Sequence, residues 1–211
     1  MNYRFCLFAL WLIVLVSCNH ANKKIAQDVK RMMSEPINLC ESQLTHYKYG
    51  IEMKNPPKRK SMYTQVVFVD STTCSPCFWK QMPCWQSIID SVKQHHVDLS
   101  FHFVFHVKHR NKKAFIEAMQ HDTLFRYPVC LDTAGVFLRQ NPIISRNKLL
   151  HSFLVDNDNH VVLVGNPMQN SRIREMFNNI LLNNLKHQEE GGLPIISGNP
   201  NLADGTKEKI N

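Results

Sequence analysis

Apolar and polar positions along the chain alternate between two periods. Gln65-Val66-Val67-Phe68-Val69 is dominated by β-branched and aromatic residues and reads as a buried strand. From Phe78 to His95 the period lengthens, and Trp79, Met82, Trp85, Ile88, Ile89 and Val92 fall at helical spacing, the inward face of a helix. Val97 to Val107 returns to a period of two. Leu99, Phe101, Phe103, Phe105 and Val107 share one face, and Ser100, His102, Val104 and His106 the other. A helix is predicted over Asn111 to Gln120 and a strand over Tyr127 to Leu131. Asp132-Thr133-Ala134-Gly135 then turns into a short helix ending at Gln140. Two strands follow, His151–Val155 and Val161–Val164, around an Asp156–Asn159 turn. Gly165-Asn166-Pro167 breaks the chain before a closing helix, Ser171 to Leu185, with Ile173, Met176, Phe177, Ile180 and Leu181 inward. Strands that alternate with helices in this way predict an α/β domain with a central mixed sheet flanked by helices.

The two ends have a different texture. Arg4 precedes an apolar run from Phe5 to Val16, short for a membrane span. It ends in Leu15-Val16-Ser17-Cys18, which resembles the lipobox of bacterial lipoproteins. That resemblance implies a signal peptide over residues 1–17 and lipidation of Cys18. Several acyl chains hold a protein on a membrane where one does not. The mature chain is then expected on the extracytoplasmic, periplasmic side of a bacterial membrane, where disulfides persist. Residues 18–60 read as a tether and N-terminal extension. Ile25, Val29, Met32 and Met33 outline a weak amphipathic helix, and a polar stretch from Cys40 is closed by Pro56-Pro57. The globular domain is expected over residues 61–186. Residues 187–211 are polar, without periodicity, and are expected to be disordered.

Length and charge narrow the class. The 211 residues, 44% of them hydrophobic, suffice for one globular domain plus appendages. A net charge of +8 raises the question of nucleic acid. The basic residues are scattered, apart from small clusters at Lys58-Arg59-Lys60 and over Lys108 to Lys113, and no nucleic-acid module is recognisable. No nucleic-acid partner is expected.

The chemistry concentrates after the first core strand. Asp70-Ser71-Thr72-Thr73 is rich in helix-capping residues, and Cys74-Ser75-Pro76-Cys77 opens the next helix. A cysteine at a helix N-terminus meets unpaired backbone N–H groups and the positive end of the dipole, which favour a thiolate. Cys77, one turn later, is placed to resolve a mixed disulfide.

Here the chain resembles the thioredoxin-like family, and more closely its membrane-anchored TlpA/ResA-type branch. Cys74-Ser75-Pro76-Cys77 matches the family's Cys-x-Pro-Cys, and Gln81-Met82-Pro83 is similar to the Glu-Met-Pro that follows it. Tyr127 to Asp132 looks like the family's YPVLLD segment, and Phe153 to Val162 resembles FLIDKDGKIV. The three motifs occur in family order between about Ser61 and Lys186. The resemblance implies a thiol–disulfide oxidoreductase without an organic cofactor. Cys74 attacks, Cys77 resolves, and Thr73, Ser75 and Pro76 form the active-site turn. Its partners would be protein thiols and disulfides, together with a membrane or periplasmic electron donor.

Three positions depart from the pattern. Thr73 stands where the family usually has Trp, and the helix proline falls one residue late. Leu150 stands where the family places a cis-proline against the disulfide. A cis bond before a non-proline residue costs about 3–4 kcal/mol, so Leu150 is expected in trans. By the resemblance, Leu150 and His151 face the dithiol.

Other cysteines and histidines leave alternatives open. Cys130 reads most simply as a small buried hydrophobe, and either it or Cys40 is a candidate extra relay thiol or structural-disulfide partner; spacing does not choose the pairing of Cys40, Cys84 and Cys130. Cys84 could share a helix face with Cys77, but a zinc site built on them lacks the second close-spaced ligand pair, so no metal is expected. Two thiolates with His151 would form a soft set suited to Cu(I). Sco-type copper chaperones use such a set, with cysteines usually spaced by three residues rather than two. A thioredoxin-like copper chaperone is therefore the alternative function.

Overall fold

A computed structural model of the chain describes residues 22–56, 61–73, 75–122 and 124–185. The expected signal segment, Cys18, Cys74 and the polar tail lie outside the described residues.

Residues 22–32 form a helix, α1. A hairpin follows, β1 (Thr45–Lys48) and β2 (Ile51–Glu52). The core then runs β3 (Tyr63–Val69), α2 (Ser75–Trp79), α3 (Met82–Gln94), β4 (Leu99–His106), α4 (Lys112–His121) and β5 (Val129–Asp132). It closes with α5 (Val136–Gln140), β6 (Ser152–Val155), β7 (Val161–Val164) and α6 (Ser171–Leu185). The strands form one mixed sheet in the order β2-β1-β5-β4-β3-β6-β7. β3, β4 and β5 are parallel neighbours, while β6 lies antiparallel on β3, β7 on β6 and β1 on β5. The α/β class expected from the sequence is the class observed.

The sheet separates two apolar layers, as the period of two requires. Val67, Val69, Phe101, Phe103, Phe105 and Leu131 join Trp79, Trp85, Phe115 and Phe177 in one. Val66, Phe68, Val104 and Cys130 join Met32, Leu39, Phe137 and Phe153 in the other. β3 and β4 are buried on both faces, as expected of central parallel strands covered on both sides.

Four expectations are corrected. The single helix over Phe78–His95 is two helices, and the first begins earlier, at Ser75. Pro83 stands in the first turn of α3, where a residue without an N–H is tolerated. Placed inside one continuous helix, it would remove a backbone bond to Trp79 and clash there. The break falls at Lys80-Gln81, where the Gln81 N–H donates to the Phe78 carbonyl at 2.9 Å. Met176, expected inward on α6, is exposed, while Phe177 and Leu181 are buried. Met33 follows α1 and is exposed, whereas Met32 is buried.

The fourth correction concerns the polar stretch from Cys40, which contains a hairpin. β1 extends the sheet by pairing His46 with Cys130 and Tyr47 with Val129. Strands of four and two residues with mixed polarity give too short an alternation to read. The described part of the extension is stitched to the core. The Asn141 amide accepts from the Asn38 N–H at 2.7 Å and donates to the Asn38 carbonyl at 2.8 Å. Ile37 donates its N–H to the Asn159 carbonyl at 2.9 Å.

Candidate redox site at the carboxyl ends of the parallel strands

In open α/β sheets, ligands and chemistry gather at the carboxyl ends of the parallel strands. Here those ends carry Asp70, His106 and Asp132. Register places them side by side. Val69 pairs with Phe105, so Asp70 and His106 follow together, and His106 pairs with Asp132. All three lie on the sheet face of Phe68, Val104 and Cys130.

Each end is built by short-range hydrogen bonds. Asp70 closes a turn over the candidate active-site segment. Its Oδ1 accepts from the Thr72 N–H at 2.7 Å, and its carbonyl accepts from the Thr73 N–H at 2.8 Å. Burial works to raise the Asp70 carboxyl. The Thr72 backbone and hydroxyl bonds, with the imidazoles of His106 and His151, outweigh it and hold the group below the usual carboxylate value. Asp132 caps α5, its carboxylate accepting from the N–H groups of Ala134, Val136 and Phe137 at 3.1, 3.0 and 2.9 Å. Gly135 precedes α5 with φ +69°, and a Cβ there would stand 3.3 Å from the His106 ring. The His106 Nδ1 is buried without a partner.

The expected active-site turn follows directly. Thr73 is half-buried, Ser75 is buried and opens α2, and Pro76 is a helical position in it. Cys77, in the same helix, is exposed and disulfide-bonded. Cys40, Cys84 and Cys130 are free thiols. Trp79, two residues after Cys77, anchors α2 in the core through edge contacts with Phe115 and Phe125 at 5.6 and 5.5 Å.

Leu150 and His151 sit against this end of the sheet. Leu150 ends a one-turn 3-10 helix, Lys148–Leu150, and is buried in the layer of Phe68 and Phe137. No cis peptide bond occurs among the described residues. The His151 carbonyl accepts from the Phe68 N–H at 2.8 Å, two residues before Asp70. Its Nε2 lies 2.8 Å from the Ser145 carbonyl, and a carbonyl only accepts, so Nε2 carries the proton. Burial lowers the His151 imidazole below its usual value, against the Ser145 bond and the Asp70 charge, which support the proton.

Cys130 stands two positions earlier on β5 than Asp132, in another environment. Its sulfur lies 3.5 Å from Nδ1 of His46 and 3.7 Å from Nδ1 of His102. Each imidazole gives its Nε2 proton to a backbone carbonyl, Glu41 at 3.0 Å and Leu39 at 2.9 Å. Burial pushes the Cys130 thiol well above its usual value, with the Glu41 charge adding to it. Burial also raises Cys40, helped by the charge of Asp132. Among the described residues no group of three or more His, Cys, Asp or Glu side chains is arranged to hold a metal ion.

Asp70 and His106 were not singled out from sequence. The available signal was parity: Asp70 continues the Phe68 face, and His106 the Val104 face. Only the parallel register brings the two together.

No protein-family model matches the chain. No curated protein matches it either. Solved structures similar to it include StoA from Bacillus subtilis, at 20% identity over 56% of this chain and 85% of that one, with a TM-score of 0.38. The thioredoxin domain of a thiol-disulfide oxidoreductase from Bacteroides vulgatus is similar at 17% identity over 58% and 81%, with a TM-score of 0.38. A thioredoxin-like protein from Porphyromonas gingivalis is similar at 18% identity over 70% and 91%, with a TM-score of 0.44.

Proposed function

We propose that this chain is a thioredoxin-like thiol–disulfide oxidoreductase that exchanges electrons with protein disulfides through Cys74 and Cys77. The supporting observation is Cys77 itself: exposed, disulfide-bonded and carried on the helix that follows β3, at the carboxyl end of the parallel strands. In the reducing direction the Cys74 thiolate attacks one sulfur of a target disulfide. A mixed disulfide forms and the second target sulfur leaves as a thiolate. Cys77, deprotonated, then attacks the Cys74 sulfur and expels the first target sulfur. The target gains two electrons and two protons, and Cys74–Cys77 becomes the disulfide. A dithiol donor restores the reduced pair by the same exchange. We further propose that the Cys18 anchor tethers the domain on the extracytoplasmic face of a membrane, which keeps it among oxidised substrates. Among the described residues no helix is long and apolar enough to cross a membrane.

The test is a redox titration of the full chain against a glutathione or dithiothreitol buffer, read by thiol counting. One two-electron transition that disappears in Cys77→Ser is expected, together with reduction of insulin by the wild type. A chain that never cycles, yet binds Cu(I) one to one and loses it in His151→Ala, would establish the copper chaperone instead. Membrane fractionation of wild type against Cys18→Ser tests the anchor separately.

A further inference from the structure

A second feature adjoins the His151 loop. Helix α1 and residues 142–147 line an open cleft of about 760 Å³. Three cations line it, Lys24, Arg31 and Arg146, with one carboxylate, Asp28. That carboxylate is already engaged on both oxygens. Oδ1 accepts from Arg31 Nη2 at 3.2 Å, and Oδ2 accepts from the Ser145 hydroxyl at 2.7 Å. No carboxylate lies within ion-pair distance of Lys24 or Arg146 among the described residues, and both side chains are exposed. The lining therefore carries a formal charge of +2, three cations less one carboxylate. Ile25 and Ile144 supply an apolar part of the lining.

We propose that this cleft is a binding site for a phosphate ester carrying an apolar body. A phosphate offers several oxygens to converging cations, where one cation's donors satisfy a carboxylate. The volume falls in the range of small-molecule sites, larger than an inorganic ion needs, and the isoleucines give an attached chain a place to lie. Such an ester could be a membrane phospholipid headgroup or a free molecule. Lys24 stands six residues beyond Cys18, so a lipidated Cys18 could hold the cleft no farther than about 20 Å from the membrane surface. The site also adjoins the redox end through a single residue. Ser145 binds Asp28 through its hydroxyl and His151 through its carbonyl.

The experiment uses the full chain carrying Cys18→Ser, so that no acyl chain contributes. Hexyl phosphate is titrated in, with amide and imidazole chemical shifts as the readout. Saturable shifts are expected in residues 24–31 and 142–147 and in the His151 ring. Affinity should fall at least tenfold in Lys24→Glu/Arg146→Glu and stay unchanged in Lys112→Glu/Lys113→Glu, which reverses charge elsewhere on the surface. Cosedimentation with phosphatidylcholine vesicles, with and without phosphatidylglycerol, separates the sources. Binding to the anionic vesicles that only the first double variant loses assigns the headgroup. Hexyl phosphate binding with vesicle binding indifferent to that variant assigns a free ester. Absence of saturable shifts in the cleft, or equal affinity in both double variants, overturns the proposal.

Discussion

Cys77 and Cys130 place the same side chain in opposite surroundings. Cys77 is exposed on a five-residue helix at the end of the sheet. Cys130 is 3% exposed inside the sheet, with an imidazole on each flank. Nearby histidines alone do not activate a thiol. His46 and His102 each spend the Nε2 proton on a backbone carbonyl and, when neutral, offer Cys130 only a lone pair at Nδ1. They can receive its proton by hydrogen bond but bring no positive charge to hold a thiolate, and burial penalises the charged sulfur. What sets Cys77 apart from Cys130 is access and a place in the first turn of a helix, not the company of imidazoles.

The sharpest test of this contrast is activity. Cys77→Ser should reduce insulin reduction to background, whereas Cys130→Ala should leave it within a factor of about two, because the sulfur of Cys130 is sealed from any substrate. Substantial loss in Cys130→Ala, with an unchanged fold by circular dichroism, would show that Cys130 relays electrons after all.

Alkylation extends the contrast to rates. In the reduced native chain iodoacetamide should label Cys77 promptly, while Cys40 and Cys130 wait for unfolding, since both thiols are buried and held in the protonated form. Mass mapping of the labelled peptides checks this. Prompt native labelling of Cys130 would mean that β1 opens readily from β5.

A smaller effect concerns stability. Cys130→Ala leaves a small void between β1 and β5 and deprives two imidazoles of their shared sulfur partner, so it should cost about 1–2 kcal/mol in urea unfolding. Cys84→Ala, at a half-buried site with no such partners, should cost less. Equal costs would mean that the His46–Cys130–His102 cluster contributes nothing to the fold.

The smallest effect is a pH slope. Because folding lowers the His151 pKa, the unfolded chain binds more protons, and stability rises with pH between the lowered value and the ordinary one near 6.5. Stability is therefore fully present above that ordinary value and drains away as pH falls below it. Asp70, also lowered, adds a second loss at the acid end, below its ordinary carboxyl value. His151→Gln keeps a donor for the Ser145 carbonyl and should flatten the first slope; it also removes one of the imidazoles that lower Asp70, so the second slope should shrink without vanishing. Urea midpoints followed from neutral to mildly acid pH would show it, and an unchanged slope would mean that another histidine carries the proton linkage.

Much of this molecule is legible in its sequence, because local period and local chemistry act over a few residues. The closing helix is found over Ser171–Leu185 as the pattern predicts, and β7 over Val161–Val164. The apolar helix positions from Trp79 to Val92 all reach the core. The capping residues after Val69, and a Cys-x-x-Cys beside them, marked the candidate redox segment without any coordinates.

Other features needed the assembled sheet. The Pro83 break is local, yet its effect is visible only once α2 and α3 each find a packing partner. The hairpin of β1 and β2 takes its strand character from β5, whose free edge supplies the hydrogen bonds that its own polar sequence does not announce. Asp70 and His106 are thirty-six positions apart and become neighbours because β3 and β4 run parallel in one register. The same distinction separates the cysteines: sequence proposed the chemistry of Cys74 and Cys77, while tertiary burial decided that of Cys130. Hydrophobic period is encoded residue by residue, but a side chain's dielectric and its partners are set by chain segments far away, and those exist only when the sheet is complete.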